Sequence, residues 1–117
     1  MRIQQKWGDD SDMVVGTTIT EECQANFDAT IEKAYEYGIN HFETARGYGC
    51  SEKQFCVSLR KLCEKVDRAD IIVQTKVAPK KTAEEFTEAL ETSWAALEPP
   101  GGYIDLFAVR FYTHIFY

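Results

Sequence analysis

Helical and extended patterns alternate along this chain at a nearly fixed interval, and that alternation restricts its fold more than any other feature. Thr20 reads as a helix N-cap, with Glu21 and Glu22 in the first turn, where the helix dipole favours anions. Cys23, Phe27, Ile31 and Ala34 then recur at helical spacing until Gly38 supplies a stop. A short strand is expected over residues 40–44. Ser51 and Gln54, within S-E-K-Q, read as a capping box that opens a second helix, with Phe55, Leu59, Leu62 and Val66 on one face. DIIVQTKV is rich in β-branched residues and reads as the second strand. Thr82 and Glu85 read as another capping box, ahead of Phe86, Leu90, Trp94 and Leu97, and the run from Pro99 to Gly102 ends that helix. YIDLFAV, residues 103–109, is the third strand. Phe55, Leu59 and Trp94 are expected in the core.

Strands alternating with helices of this length imply βαβ units, a parallel sheet and right-handed crossovers, so the class is α/β. At 117 residues the chain is a single domain or a piece of one. Residues 1–19 carry no clear period and read as loop. A hydrophobic share of 44% suits a packed core. The formal net charge is −6 with scattered basic residues, which argues against a nucleic-acid partner. No apolar run is long enough to cross a bilayer and the N-terminus lacks a signal-peptide pattern, so a cytoplasmic protein is expected. The four cysteines match no metal-ligand spacing, and no metal site is expected.

The strand ends carry the chemistry. HFET ends at Glu43, the next strand ends around Lys76 and the third just before Arg110. Glu43 to Lys76 is 33 residues and Lys76 to Arg110 is 34, one βα unit each. Charged residues therefore recur at the carboxyl end of each strand, where parallel α/β folds bind ligands and do chemistry. Ile71, Val73 and Val77 share one face of the middle strand, while Ile72, Gln74 and Lys76 share the other. A lysine on an interior face needs a partner, and Glu43 is the candidate. Tyr48 stands between Gly47 and Gly49, which would let a turn bring the phenol over the strand ends. A phenol ordinarily titrates near ~10, and a nearby ammonium favours its charged form. Glu43 would thus hold Lys76, and Lys76 would tune Tyr48 to donate a proton to a carbonyl oxygen. The same Glu–Lys pair also reads as a plain salt bridge, GYG as an ordinary turn, and His41 as a packed histidine. His114 falls in an aromatic tail with no readable pattern.

GINHFETARGYGCSEKQF resembles the first signature region of the aldo-keto reductases, and IIVQTKV and YIDLFAV resemble their third and fourth barrel strands. The ETARGYG subgroup, some members of which add a ferredoxin-like segment, is the nearest in appearance. The resemblance runs from about Gln24 to Val109. It implies a partial (β/α)8 TIM barrel, parallel strands 2–4 with their helices, in an NADPH-dependent oxidoreductase that reduces a small aldehyde or ketone. The family's catalytic aspartate, tyrosine and lysine positions match Glu43, Tyr48 and Lys76. Its histidine position holds Arg110, a guanidinium that cannot switch protonation, and its usual glycine near the second helix is Cys56. A full barrel needs roughly 250 residues. The chain is therefore expected to be truncated at both ends, with residues 110–117 a tail unlike the family and the later cofactor-gripping loops missing. Two expectations follow: a carbonyl reductase, whole or completed by further sequence, or a catalytically inactive fragment with at most a binding role. Open sheet edges would favour self-association.

Overall fold

The alternation is realised as three helices and three parallel strands in the computed structural model, which describes residues 19–110. Residues 1–18 and 111–117, and with them nearly all of the expected loop and tail, lie outside the described residues. Helix α1 spans Glu21–Glu36, strand β1 His41–Glu43, helix α2 Ser51–Leu62, strand β2 Ile72–Val77, helix α3 Ala83–Leu97 and strand β3 Leu106–Val109. The strand order is β1-β2-β3, with Glu43 opposite Gln74 and Lys76 opposite Ala108. This is the α/β arrangement expected of three consecutive barrel strands and their helices.

The helix ends follow local chemistry in most places. The Thr20 hydroxyl accepts from the Cys23 amide and the Thr82 hydroxyl from the Glu85 amide, each satisfying a donor that the helix leaves orphaned. After α1, Gly38 takes the left-handed conformation (φ 88°), and the Ile39 amide closes back on the Ala34 carbonyl at 3.0 Å. The expected capping box at Ser51 is not formed. Cys50 is the N-cap residue, and the Ser51 hydroxyl instead accepts from Thr44 at 2.8 Å. Helix α2 also stops at Leu62, short of Val66.

All three helices contribute to a core on one face of the sheet. Phe27 and Ile31 of α1, Phe55 and Leu59 of α2 and Leu97 of α3 meet Phe42 and Val73 of the strands. Phe27 and Phe55 meet edge-on with ring centroids 4.9 Å apart, a favoured aromatic geometry. Trp94 departs from expectation: it is 49% exposed, and Leu90 is exposed beside it. Helix α3 instead turns Ser93 and Leu97 inward. Ser93 is fully buried, and a small side chain there lets the backbone approach the sheet more closely than an indole could. The opposite face of the sheet is open, with Ile72 and Leu106 exposed.

One polar tie secures the start of β2 and β3. Arg68 donates to the carbonyls of Pro100, Ile71 and Tyr103 and to the Asp105 carboxylate, and its guanidinium lies 3.9 Å from the Tyr103 ring centroid. Asp105 also accepts from the Val73 amide at 2.8 Å. Burial pushes the Asp105 carboxyl up, but the Val73 amide and Arg68 outweigh it and hold it below its ordinary value of 3.8. A depressed folded value means that its stabilisation is complete above 3.8 and is lost as pH falls through the lower folded value. Asp105→Asn should therefore cost about 2 kcal/mol at pH 7, and the gap from the native chain should close in strong acid. Urea midpoints across that pH range measure it; a gap unchanged in strong acid would contradict the assignment.

Candidate active site

Glu43 closes β1, and Lys76 is the penultimate residue of β2, on the face turned away from the helices. Because Glu43 pairs with Gln74, Lys76 stands two residues further along, and its flexible side chain spans the offset. Its ammonium donates to the Glu43 carboxylate and, at 3.4 Å, to the Thr44 carbonyl. Taking an ammonium this far out of water is costly without such a partner. The expected salt bridge is thus present, on the expected face.

Tyr48 reaches the same place from the β1–α2 connection. The Arg46 amide donates to the Lys76 carbonyl at 2.8 Å, so the connection continues the sheet ladder for one more step before it turns. The turn then closes with the Tyr48 amide on the Ala45 carbonyl. Only Gly49 of the two flanking glycines takes a left-handed φ, at 57°. Gly47 does not, and a Cβ there would meet nothing within 4 Å, so its expected role in the turn is not required. The Lys76 ammonium sits 4.5 Å from the Tyr48 ring centroid, over the phenol's face. The Arg110 amide extends the β3 ladder onto the Val77 carbonyl, and its guanidinium donates to the Tyr48 phenol oxygen at 3.2 Å. Glu43, Lys76, Tyr48 and Arg110 therefore meet at the carboxyl ends of the three strands. Beside them is a cleft of about 240 Å³, lined by Arg46, Tyr48, Lys76, Val77, Lys80 and Arg110 among others.

Beneath the cleft lies a carboxylate that sequence reasoning missed. Glu52 is 2% exposed, accepting from the Thr75 hydroxyl at 2.7 Å and from Arg46 at 3.2 Å. It ties the first turn of α2 to both β2 and the tyrosine-bearing connection. A signal for it existed, since Glu52 shares a helical face with Phe55 and Leu59. Cys50 is buried as well, its thiol donating to the Gln54 side chain at 3.5 Å. Burial pushes the Cys56 and Cys63 thiols up, which suits packing better than nucleophilic chemistry. His41 hydrogen-bonds the Gln74 side chain at 2.8 Å on the open face.

The Glu43–Lys76 pair is asymmetric, with side-chain exposures of 30% and 9%. Removing Glu43 strands an ammonium that water can scarcely reach; removing Lys76 strands a carboxylate that water can reach. Glu43→Gln should therefore cost about 3 kcal/mol and Lys76→Met clearly less. Chemical denaturation of both variants tests this, and equal losses would argue against a buried pair.

Comparison with known proteins agrees with this architecture. The pattern of the aldo/keto reductase family matches residues 11–115. An aldo/keto reductase from Klebsiella pneumoniae, solved with NADP and acetate, has a TM-score of 0.64 at 20% identity, over 87% of this chain and 35% of its own. A protein described as an aldo-keto reductase from Pseudomonas aeruginosa has a TM-score of 0.60 at 26% identity, over 83% of this chain and 38% of its own. A second from the same organism has a TM-score of 0.61 at 23% identity, over 91% and 38% respectively. The chain thus spans little more than a third of the length of these structures. No curated protein matches it. Among the described residues no helix is long and apolar enough to cross a membrane. With the family pattern running nearly end to end, the chain belongs to the aldo/keto reductase family.

Proposed function

We propose that the chain carries the proton-donating centre of an NADPH-dependent carbonyl reductase, in which Tyr48 gives its phenolic proton to the oxygen of an aldehyde or ketone. One juxtaposition supports this above all: the Tyr48 phenol has the Lys76 ammonium over its ring and the Arg110 guanidinium on its oxygen. The NADP-bound Klebsiella protein of the same fold supports the cofactor assignment. NADPH, when bound, supplies the hydride to the carbonyl carbon.

The chain's own residues account for the proton. A guanidinium only donates hydrogen bonds, so the Tyr48 oxygen accepts from Arg110 and the phenol's own hydrogen is not used in that contact. When that proton leaves for the substrate oxygen, negative charge develops beside two cations, where it is stabilised. Glu43 keeps Lys76 in place as one of those cations. Arg110 is permanently charged and acts as a fixed electrostatic partner, not a proton relay.

The cleft of about 240 Å³ is smaller than the roughly 300–1,000 Å³ of most small-molecule sites. The described residues therefore fit the reacting end of a cofactor and a small substrate. The family resemblance places the groups that grip the cofactor's phosphates in later strands. A second reading follows from the chain spanning 35–38% of the solved structures it matches: alone, these 117 residues hold a placed proton donor without a positioned hydride.

The isolated chain should show no measurable NADPH-dependent reduction of an aldehyde and ketone panel, and no saturable NADPH binding by fluorescence. Joined to the later strands of a family member it should gain both, and Arg110→His should raise turnover. In that completed protein Tyr48→Phe should lower kcat by about 10²–10⁴-fold. Full activity of the Tyr48→Phe variant would exclude Tyr48 as proton donor. The exposed Ile72, Leu106 and Trp94, with β3 as an edge strand, should make the isolated chain self-associate. Sedimentation velocity should show concentration-dependent species that Leu106→Lys reduces; a strict monomer at all concentrations would contradict this.

A further inference from the structure

We propose that the cleft beside Tyr48 selects carbonyl compounds bearing a second, anionic group, a carboxylate or a phosphate. The inference rests on the carbonyl-reducing reading for what stands at Tyr48, while its test reads binding alone. Four cationic side chains, Arg46, Lys76, Lys80 and Arg110, line this single cleft, and among the described residues no carboxylate lines it. The whole chain carries a net charge of −6, so this gathering of positive charge runs against its overall sign. Two of the cations are held from behind, Lys76 by Glu43 and Arg46 by Glu52. Those pairs fix the cations in position, and neither acid is part of the cleft wall.

The two ends of the cleft have different work. Lys76 and Arg110 face the phenol, where the carbonyl oxygen would be held. Arg46 and Lys80 also line the adjoining cleft, so they mark the end away from that phenol. Arg46 and Tyr48 belong to one tight turn, which keeps a second anionic group close to the reacting carbonyl. A short oxo acid or phosphorylated aldehyde meets both ends, with charge-assisted hydrogen bonds to its anionic group. A neutral ketone offers no anionic group to Arg46 and Lys80. The adjoining cleft carries Glu85 and Glu88, which compete for the same two cations. Changes at the two sites should therefore act on affinity with opposite signs.

The full 117-residue chain is titrated by two-dimensional amide NMR with pyruvate, its uncharged amide pyruvamide, and inorganic phosphate. Pyruvate and phosphate should move the signals of Arg46, Gly47, Tyr48 and Lys80, with pyruvamide at least about ten-fold weaker than pyruvate. Lys80→Glu should weaken pyruvate about ten-fold and Glu88→Gln should strengthen it about two-fold, while Lys61→Gln, on the far side of α2, should change little. The opposite signs at Lys80 and Glu88 separate a local effect from lost folding. Binding of pyruvate alone marks a carboxylate site, and binding of phosphate alone marks a phosphate site; either supports an anionic ligand. Pyruvamide binding as tightly as pyruvate, equal losses in the Lys80 and Lys61 variants, or no binding of either anion would overturn the proposal. Anion binding by a completed protein that reduces no carbonyl would instead sink the reductase reading and leave the anion site standing.

Discussion

A buried ammonium at the end of the middle strand organises everything built above the sheet. Lys76 is central in position as well as in charge, flanked by β1 on one side and β3 on the other. Its desolvation has to be offset, and the parallel register puts a carboxylate within reach on β1. The same register sets Arg110 just past the end of β3 and the Tyr48 turn just past the end of β1. A slip of one residue between β1 and β2 would send Lys76 and Glu43 to opposite faces. Core packing behind the sheet guards against that slip, since Phe42 and Val73 are directly paired and both fully buried.

Placing an arginine beside the phenol has a chemical consequence beyond added charge. An imidazole can donate, accept or change protonation, so its contact with a phenol can run either way. A guanidinium fixes the direction of the hydrogen bond, because it has no acceptor. The arrangement therefore commits the tyrosine oxygen as acceptor toward β3 and leaves the phenol's own hydrogen out of that contact. A neutral imidazole would make such a contact without adding positive charge. Arg110 thereby adds a permanent positive charge to the cleft wall.

Much of this was legible in the sequence. Helix and strand order, parallel pairing, the facing of β2 and the convergence of Glu43, Lys76 and Tyr48 all follow from periodicity and from a spacing of one βα unit. These are repeating or local properties, and a linear pattern records them. The Arg68–Asp105 tie, the burial of Glu52 and the hydroxyl pair of Thr44 and Ser51 were not legible. Each joins side chains from different elements, and no period of the chain announces which polar group will be covered. Trp94 failed for a related reason. Its helical phase was read correctly as one stripe, but the stripe is wider than the contact, and the small Ser93 took the inward position. Ser51 illustrates the limit of a local motif, because a tertiary partner, Thr44, outcompeted the cap.

Placement and strength are separate properties of such a site. The residues meet where the backbone puts them, but the energy of their meeting depends on how much water stays nearby. Unit charges about 4 Å apart interact by roughly 1 kcal/mol in bulk water and about 4 kcal/mol at an effective dielectric of 20. On a three-stranded sheet whose other face is open, the Glu43 side chain remains 30% exposed and Tyr48 and Arg110 are only half-buried. Excluding water from that face would strengthen the hold on Lys76 and the field that the two cations exert at the Tyr48 phenol. Three strands are thus enough to assemble the geometry. They are not enough to give it its full electrostatic effect, because that effect comes from the water that the rest of a barrel excludes.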